Sequence, residues 1–344
     1  MSTQAAPPGA ASFSPWPAVA GAVALLTVTI SLLLTAFAWP SVRSSVHDVP
    51  IAVAGPAPAV KQLTAVLDRR LPDGFEVTEV ADAAAAEQLI RDRKVYGAID
   101  LSSGTPQVIT ASAGSTAVAQ ALNTLAAGLT KPPGANTEVT ARDLVPLPAD
   151  DPRGAGLAAA ALPLVMGGLL TALLLPRLVR GSAHRIIGAF AFAITGGLAV
   201  AAILQFWFGS LDGSYWANSA AVALTVAATS LTVLGLASLL GYAGFGLGAA
   251  TMVLIGNPLS GTATAPEMLP GWSGTLGQLL PPGAGGRLLR STSFFNGHDA
   301  THPATVLTAW LTLGTVLYVA GSLRTRPTGS VTNTVAQPAK QTTI

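Results

Sequence analysis

The chain has no cysteine and little charge: its 344 residues include only 18 Lys or Arg and 16 Asp or Glu, together a tenth of the total. The first absence excludes disulfides, thiolate metal sites and cysteine nucleophiles, so any soluble part is held by packing alone. The second excludes an ordinary soluble fold, which carries about 25% charged residues. A Gly-x-x-x-x-Gly-Lys-Ser/Thr phosphate loop is also missing, because none of the four lysines has that setting; any nucleotide hydrolysis must come from another chain. What is abundant is apolar sequence, with 50% hydrophobic residues and a mean hydropathy of +0.55. The net charge of +2 says little as a total, and its distribution carries the signal.

Apolar runs of about 20 residues suit a bilayer-crossing helix and have no use in a soluble core. Six such spans are expected, at 17–39, 155–175, 186–208, 217–238, 240–256 and 303–323. None contains Asp, Glu, Lys, Arg or His. The segments 176–185 and 324–344 together hold six Lys or Arg and no acid. Short Lys/Arg-rich segments stay in the cytoplasm, so both termini are expected there and residues 43–153 outside a cell (plasma) membrane. The first run is longer than the 7–15 residues of a signal-peptide core and has no basic residue before it, so an uncleaved anchor is expected. Trp16, Trp39, Trp207, Tyr215 and Trp216 fall at span ends, where amphipathic rings anchor a helix at the interface.

Residues 43–153 contain thirteen of the sixteen acids. Extended runs at Pro50–Ala54, Phe75–Val80, Val95–Ile99, Gln107–Thr110 and Thr137–Val145 alternate with helical patterns at Pro58–Leu71, Asp82–Arg93 and Ser115–Leu129, the signature of a small α/β domain. Asp82 is placed to cap the second helix, and Ala86, Leu89 and Ile90 form its apolar face. Gly74, Gly104, Lys131-Pro132-Pro133-Gly134 and Asp150-Asp151-Pro152 read as turns. The Pro/Ala-rich head, 1–16, and the Thr-rich tail, 324–344, read as disordered.

The expected fold is therefore an α-helical polytopic membrane protein with a small α/β extracellular domain between spans one and two, and a 155–323 membrane region. Between spans five and six, residues 257–290 are too apolar for an ordinary loop and too rich in Pro and Gly for one helix. Non-helical backbone at membrane depth survives only where protein or a water-filled cavity covers it. Two readings fit: a re-entrant hairpin dipping from the outer face, or a loop packed over the bundle. The residues that single out this segment are Asn257, Pro258, Ser260, Gly261, Glu267, Pro270, Pro281 and Arg287. Glu267 and Arg287 are opposite charges that dry burial would force to pair, and that exposure at the outer surface would leave free.

Two phrases carry a family resemblance. Gly256-Asn257-Pro258-Leu259-Ser260-Gly261, with Leu269-Pro270 and Pro281, looks like the start of an extracellular re-entrant segment, and Ala86 to Ile99 is similar to a helix, basic turn and apolar strand. In both, and in layout from Ala18 to Arg324, the chain resembles the ABC type 2 transporter membrane (permease) domain, in its phage-infection-protein-like actinobacterial branch. The resemblance implies a permease-like exporter subunit that moves a hydrophobic or amphipathic molecule outward, with a cytoplasmic ATPase subunit in trans, a homodimer and the lipid bilayer as partners, and no nucleic acid. The chain departs from related permeases in its uncharged, Pro-rich head, where they often carry an amphipathic helix. The cytoplasmic surface open to an ATPase is the loop bearing Arg177, Arg180, His184 and Arg185. These residues read either as an ATPase-coupling loop or as topology determinants held by anionic lipid.

No catalytic residue, cofactor or metal is expected. His298-Asp299-x-x-His302 has two imidazoles one helical turn apart but precedes Pro303 and lacks a third ligand. Gly244-x-x-x-Gly248 permits close helix approach. With no ionisable group in the spans, ion-coupled transport and intramembrane catalysis are disfavoured. The alternative to an exporter is a non-transporting envelope protein whose ectodomain binds a partner or ligand.

Overall fold

A computed structural model describes residues 16–103, 105–129 and 140–324. Most of the expected disordered head and tail, the turns at Gly104 and Lys131-Pro132-Pro133-Gly134, and the first residues of the strand expected at Thr137–Val145 lie outside the described residues.

Helix α1 (Trp16–Val42) is 27 residues long, about 40 Å at 1.5 Å per residue and so longer than a hydrocarbon core of about 30 Å. Leu25, Leu26, Ile30 and Leu34 stand exposed along it, an arrangement that lipid tolerates and water does not. It touches the rest of the protein chiefly through residues 251–256.

The soluble domain follows as β1 (Val49–Ala54), α2 (Ala57–Arg70), β2 (Phe75–Val80), α3 (Ala83–Arg91), β3 (Gly97–Asp100), β4 (Gln107–Thr110), α4 (Thr116–Leu129) and β5 (Thr140–Asp143). The sheet order is β2-β1-β3-β4-β5, antiparallel only between β3 and β4. Successive strand residues face opposite ways, and this alternation builds two cores. Ile51, Ile99 and Val108 pack under α2 and α4 against Leu67, Val118 and Leu122. Ala52, Ala98 and Ile109 pack against Ala86 and Ile90 of α3. The Asp82 carboxylate accepts from the Ala85 N–H at 2.8 Å, so α3 begins where its cap places it. Neither core is closed by the domain alone: Ala265 and Met268 belong to the first, and Phe295 to the second.

The remaining helices are α5 (Ala155–Leu178), α6 (Ser182–Ala202) with a π turn Ile203–Trp207, α7 (Tyr215–Leu240), α8 (Tyr242–Ala250) with a π turn Thr251–Gly256, α9 (Ser273–Gln278), α10 (Pro281–Phe294) and α11 (Thr301–Arg324). Among the described residues, five apolar helices are long enough to cross a membrane: α1, α5, α6 with its π turn, α7 and α11. Helix α7 is the hub, with 72% of its most apolar 18 residues buried. Helices α5, α6, α10 and α11 all pack on it. Small side chains make such crowding possible. A Cβ on Gly235 would collide with the Gly314 carbonyl, one on Gly314 with the backbone of Leu231 and Thr232, and one on Gly168 with Thr229.

The span expected at 240–256 is shorter than the others. Tyr242–Gly256 is 15 residues, about 22 Å, which does not cover about 30 Å of hydrocarbon. Gly241 at φ +62° opens it, and Asn257-Pro258 follow its π turn. The chain does not continue upward as one helix from there. It turns through a 3-10 turn at Pro266–Met268, α9 and α10 before reaching α11.

The bundle has two distinct ends. Arg177, Arg180, His184 and Arg185 lie at the end away from the soluble domain, where the Tyr318 hydroxyl donates to the Ser182 carbonyl at 3.4 Å. At the other end, Asp151 precedes α5, and its carboxylate accepts from the N–H groups of Ala155 and Gly156 in the first turn at 2.8 and 2.7 Å. Burial opposes ionisation of Asp151, but these N–H groups outweigh it and hold the carboxyl below its usual range.

Candidate functional site

Residues 257–299 form a folded insert that meets the soluble domain above and the bundle below. Within it, the Leu279 carbonyl accepts from Trp310 Nε1 at 2.8 Å. Trp310 is nine residues into α11, so this contact lies about 14 Å along the bundle from the soluble-domain end. Short α9 leads down to this level and α10 leads back up, packed on α7 and α11.

Between the insert and the soluble domain lies a cavity of about 240 Å³. Helix α3 positions its first functional side chain. The helix closes with Arg93 N–H donating to Ile90 O and Lys94 N–H to Leu89 O, and Arg93 itself takes the left-handed φ of +58°. This turn aims Arg93 across the gap. Its Nη1 donates to the Arg287 carbonyl at 3.1 Å and to Ser291 Oγ at 2.5 Å, and its guanidinium lies 5.1 Å from the centre of the Phe295 ring. Burial, reinforced by the nearby Arg290 charge, pushes Arg93 down to about 10, which still leaves it protonated at neutral pH.

Three further hydrogen bonds and the His298–Asp92 contact tie the insert to the soluble domain. The Tyr96 hydroxyl donates to Glu267 Oε2 at 2.8 Å, Ser115 Oγ donates to the Thr264 carbonyl at 2.8 Å, and the Ser45 N–H donates to the Met268 carbonyl at 3.0 Å. Burial and then the Glu267 carboxylate push the Tyr96 phenol well above its usual value, so it remains a hydrogen-bond donor.

On the insert side, Arg290 Nη2 donates to the Thr262 carbonyl at 2.9 Å, while its Nε is buried without a partner. Gln278 Nε2 donates to the Ser260 carbonyl at 2.7 Å, and its Oε1 is likewise buried and unpartnered. Of the two alternatives for Glu267 and Arg287, pairing with each other is not the one formed. Arg287 Nε instead pairs with Asp299 Oδ2 at 2.6 Å, because Asp299 sits in a left-handed turn just past α10, while Glu267 is committed to Tyr96.

Of the residues singled out in the sequence, Ser260, Gly261, Glu267 and Arg287 line the cavity. Gly261 is at φ +64°, and a Cβ there would press on the Pro266 backbone. Asn257, Pro258, Pro270 and Pro281 shape the insert without lining the cavity: Pro281 starts α10, and the Pro270 carbonyl accepts from Ser273 Oγ at 2.7 Å. The basic loop at the far end takes no part. There Arg185 donates to the carbonyls of Val179 and Pro176 at 2.8 and 3.0 Å, and Arg177 to Leu173 O at 2.6 Å, while Arg180 and His184 are exposed. His298 pairs with Asp92 at 3.0 Å, and no group of three or more His, Cys, Asp or Glu placed to hold a metal ion occurs among the described residues.

Arg93, Tyr96, Gln278 and Arg290 were not singled out as site residues by the sequence. A signal existed for two of them: Arg93 lies in the basic turn after α3, and Arg290 follows Arg287 by three residues, which puts both on one helix face. No family model, no curated protein and no solved structure matches the chain.

Proposed function

We propose that this chain is a permease-like subunit of an ABC type 2 exporter, moving a hydrophobic or amphipathic molecule outward with energy from a separate ATPase subunit. The observation that supports this most is the insert: irregular, polar-lined backbone reaches about 14 Å down the bundle beside a cavity, the arrangement that non-helical backbone at membrane depth requires. The soluble domain shares both of its cores with this insert, so a displacement of one carries the other. In this reading the basic end of the bundle faces the cytoplasm, the soluble domain faces outward, and two copies assemble around the path. Arg180 and His184 are the groups free to meet an ATPase, since Arg177, though exposed, and Arg185 are occupied with backbone carbonyls in and just after α5.

A second reading is an envelope protein that binds a ligand without transporting it. It is favoured by the cavity being lined on one side by the soluble domain itself. Gentle-detergent purification of the tagged protein from its own host, with mass spectrometry and ATP hydrolysis measured on the same sample, separates the two. A stoichiometric ATPase supports the exporter. A preparation without one, under conditions where a known transporter complex survives, favours the binding protein.

A further inference from the structure

The charged groups around the cavity do not balance. Arg93, Lys94, Arg287 and Arg290 face only Glu267 and Asp299, an excess of two positive charges. Arg287 and Asp299 neutralise each other, and Glu267 receives the Tyr96 hydroxyl. Neither Arg93 nor Arg290 takes part in an ion pair among the described residues. A guanidinium taken out of water without a counter-charge is expensive, and its unused N–H groups add to the cost. Arg290 Nε is such a group, buried and bonded to nothing. Gln278 Oε1 nearby is an orphan of the opposite kind, an acceptor in need of a donor.

We infer that the cavity under the soluble domain binds a phosphate-type anion, with Arg290 and Arg93 as its charge partners and Gln278 accepting from a hydroxyl of the free ion or of the head group that carries the phosphate. The planar fork of arginine suits two oxygens of one phosphate, which a point charge does not. The size agrees with a head group alone: sites for drug-sized molecules run from about 300 to 1,000 Å³, and this one is about 240 Å³. Acyl chains would have to remain outside, against the apolar flanks of the bundle. The phosphate belongs either to an anionic lipid-like amphiphile or to a free ion.

This inference deepens the exporter reading and rests on it only for the role of the bound molecule. The two fail separately. Anion binding without any ATPase subunit sinks the exporter alone, whereas an ATPase complex that ignores anions sinks the anion site alone.

The test uses the full-length purified chain in a neutral detergent. Its unfolding temperature is followed with inorganic phosphate, with short-chain phosphatidylglycerol, and with a neutral diacylglycerol of the same chain length, which has no phosphate. Stabilisation by phosphatidylglycerol but not by the neutral diacylglycerol identifies a head-group site, and stabilisation by inorganic phosphate alone identifies a free-ion site. The same response to all three, or to none, overturns the proposal. Arg290→Gln should weaken binding about tenfold or more, the effect of removing one charge-assisted hydrogen bond. If that variant does not fold, Arg290→Lys keeps the charge and loses the fork, and unchanged affinity in it counts against the site. The falling affinity with rising salt expected of an ionic contact should be seen in the wild type.

Discussion

Arg93, two residues beyond the end of α3, donates to the backbone carbonyl of Arg287, 194 positions later in the chain. A single side chain thereby joins the soluble domain to the helix that rises from the middle of the bundle. The joint is polar at its tip and apolar around it, because Phe295 lies under the guanidinium and also completes the core that α3 covers.

Phe295→Ala should therefore loosen both parts together. Phe295 is 4% exposed, and removing a buried aromatic ring costs about 3–5 kcal/mol. A lower unfolding temperature and faster proteolysis between residues 43 and 153 are expected. Loss of stability with no change in protease sensitivity of the soluble domain would show that the shared core does not couple the two.

Tyr96→Phe removes the hydroxyl that Glu267 accepts. A carboxylate left short of its donor costs about 1–3 kcal/mol, and the double variant Tyr96→Phe with Glu267→Gln should recover part of it. Full additivity of the two single changes is the result that contradicts this pairing.

Asp151→Ala should destabilise by about 1–2 kcal/mol, as expected for loss of a helix cap, and Asp151→Asn by less. The folded protein holds this carboxyl below its usual range, so its contribution is complete above the unfolded value of about 3.9 and fades as pH falls through the lower folded value. The stability gap between wild type and Asp151→Ala should narrow on acidification. A gap that is constant from neutral pH down to about pH 2 would falsify a role for its charge.

Gly314→Leu should block assembly of the bundle, since any side chain there runs into the α7 backbone, whereas Gly21→Leu meets nothing within 4 Å and should behave as wild type. The comparison is made by size-exclusion profile and unfolding temperature of the two purified variants. Equal behaviour of both would mean that α7 and α11 do not approach this closely.

Reversal of Arg180 and His184 to Glu should eliminate co-purification of an ATPase subunit and leave the unfolding temperature unchanged. Arg185→Glu should lower that temperature as well, because its guanidinium holds two carbonyls at the end of α5. An ATPase retained in the Arg180/His184 variant removes this loop from the coupling surface.

Much of the soluble domain was legible locally. Val49–Ala54 and Phe75–Val80 are short β-branched runs between turns, and α3 starts at the Asp82 cap. Such features depend on neighbours a few residues apart, which a linear reading captures. The span at 240–256 misled because its composition is apolar throughout, while Gly241 and Asn257-Pro258 confine its helical part to about 22 Å. Whether Glu267 and Arg287 pair with each other was not decided by the sequence. Opposite charge says that a pair is favourable but not which acid is within reach, and Asp299 is the closer partner.

The sequence alone determined that the chain carries uncharged runs long enough to cross a bilayer and one acidic region, because runs longer than 20 residues suit a membrane-crossing helix and thirteen acids gathered in 43–153 need water. Only the tertiary structure decided which cations share a cavity. Arg93 and Arg290 belong to segments far apart in the chain, and their meeting depends on how the soluble domain docks on the insert. That docking is set by Ala265, Met268 and Phe295 filling gaps in two cores, a matter of shape and volume that no local pattern of residues records.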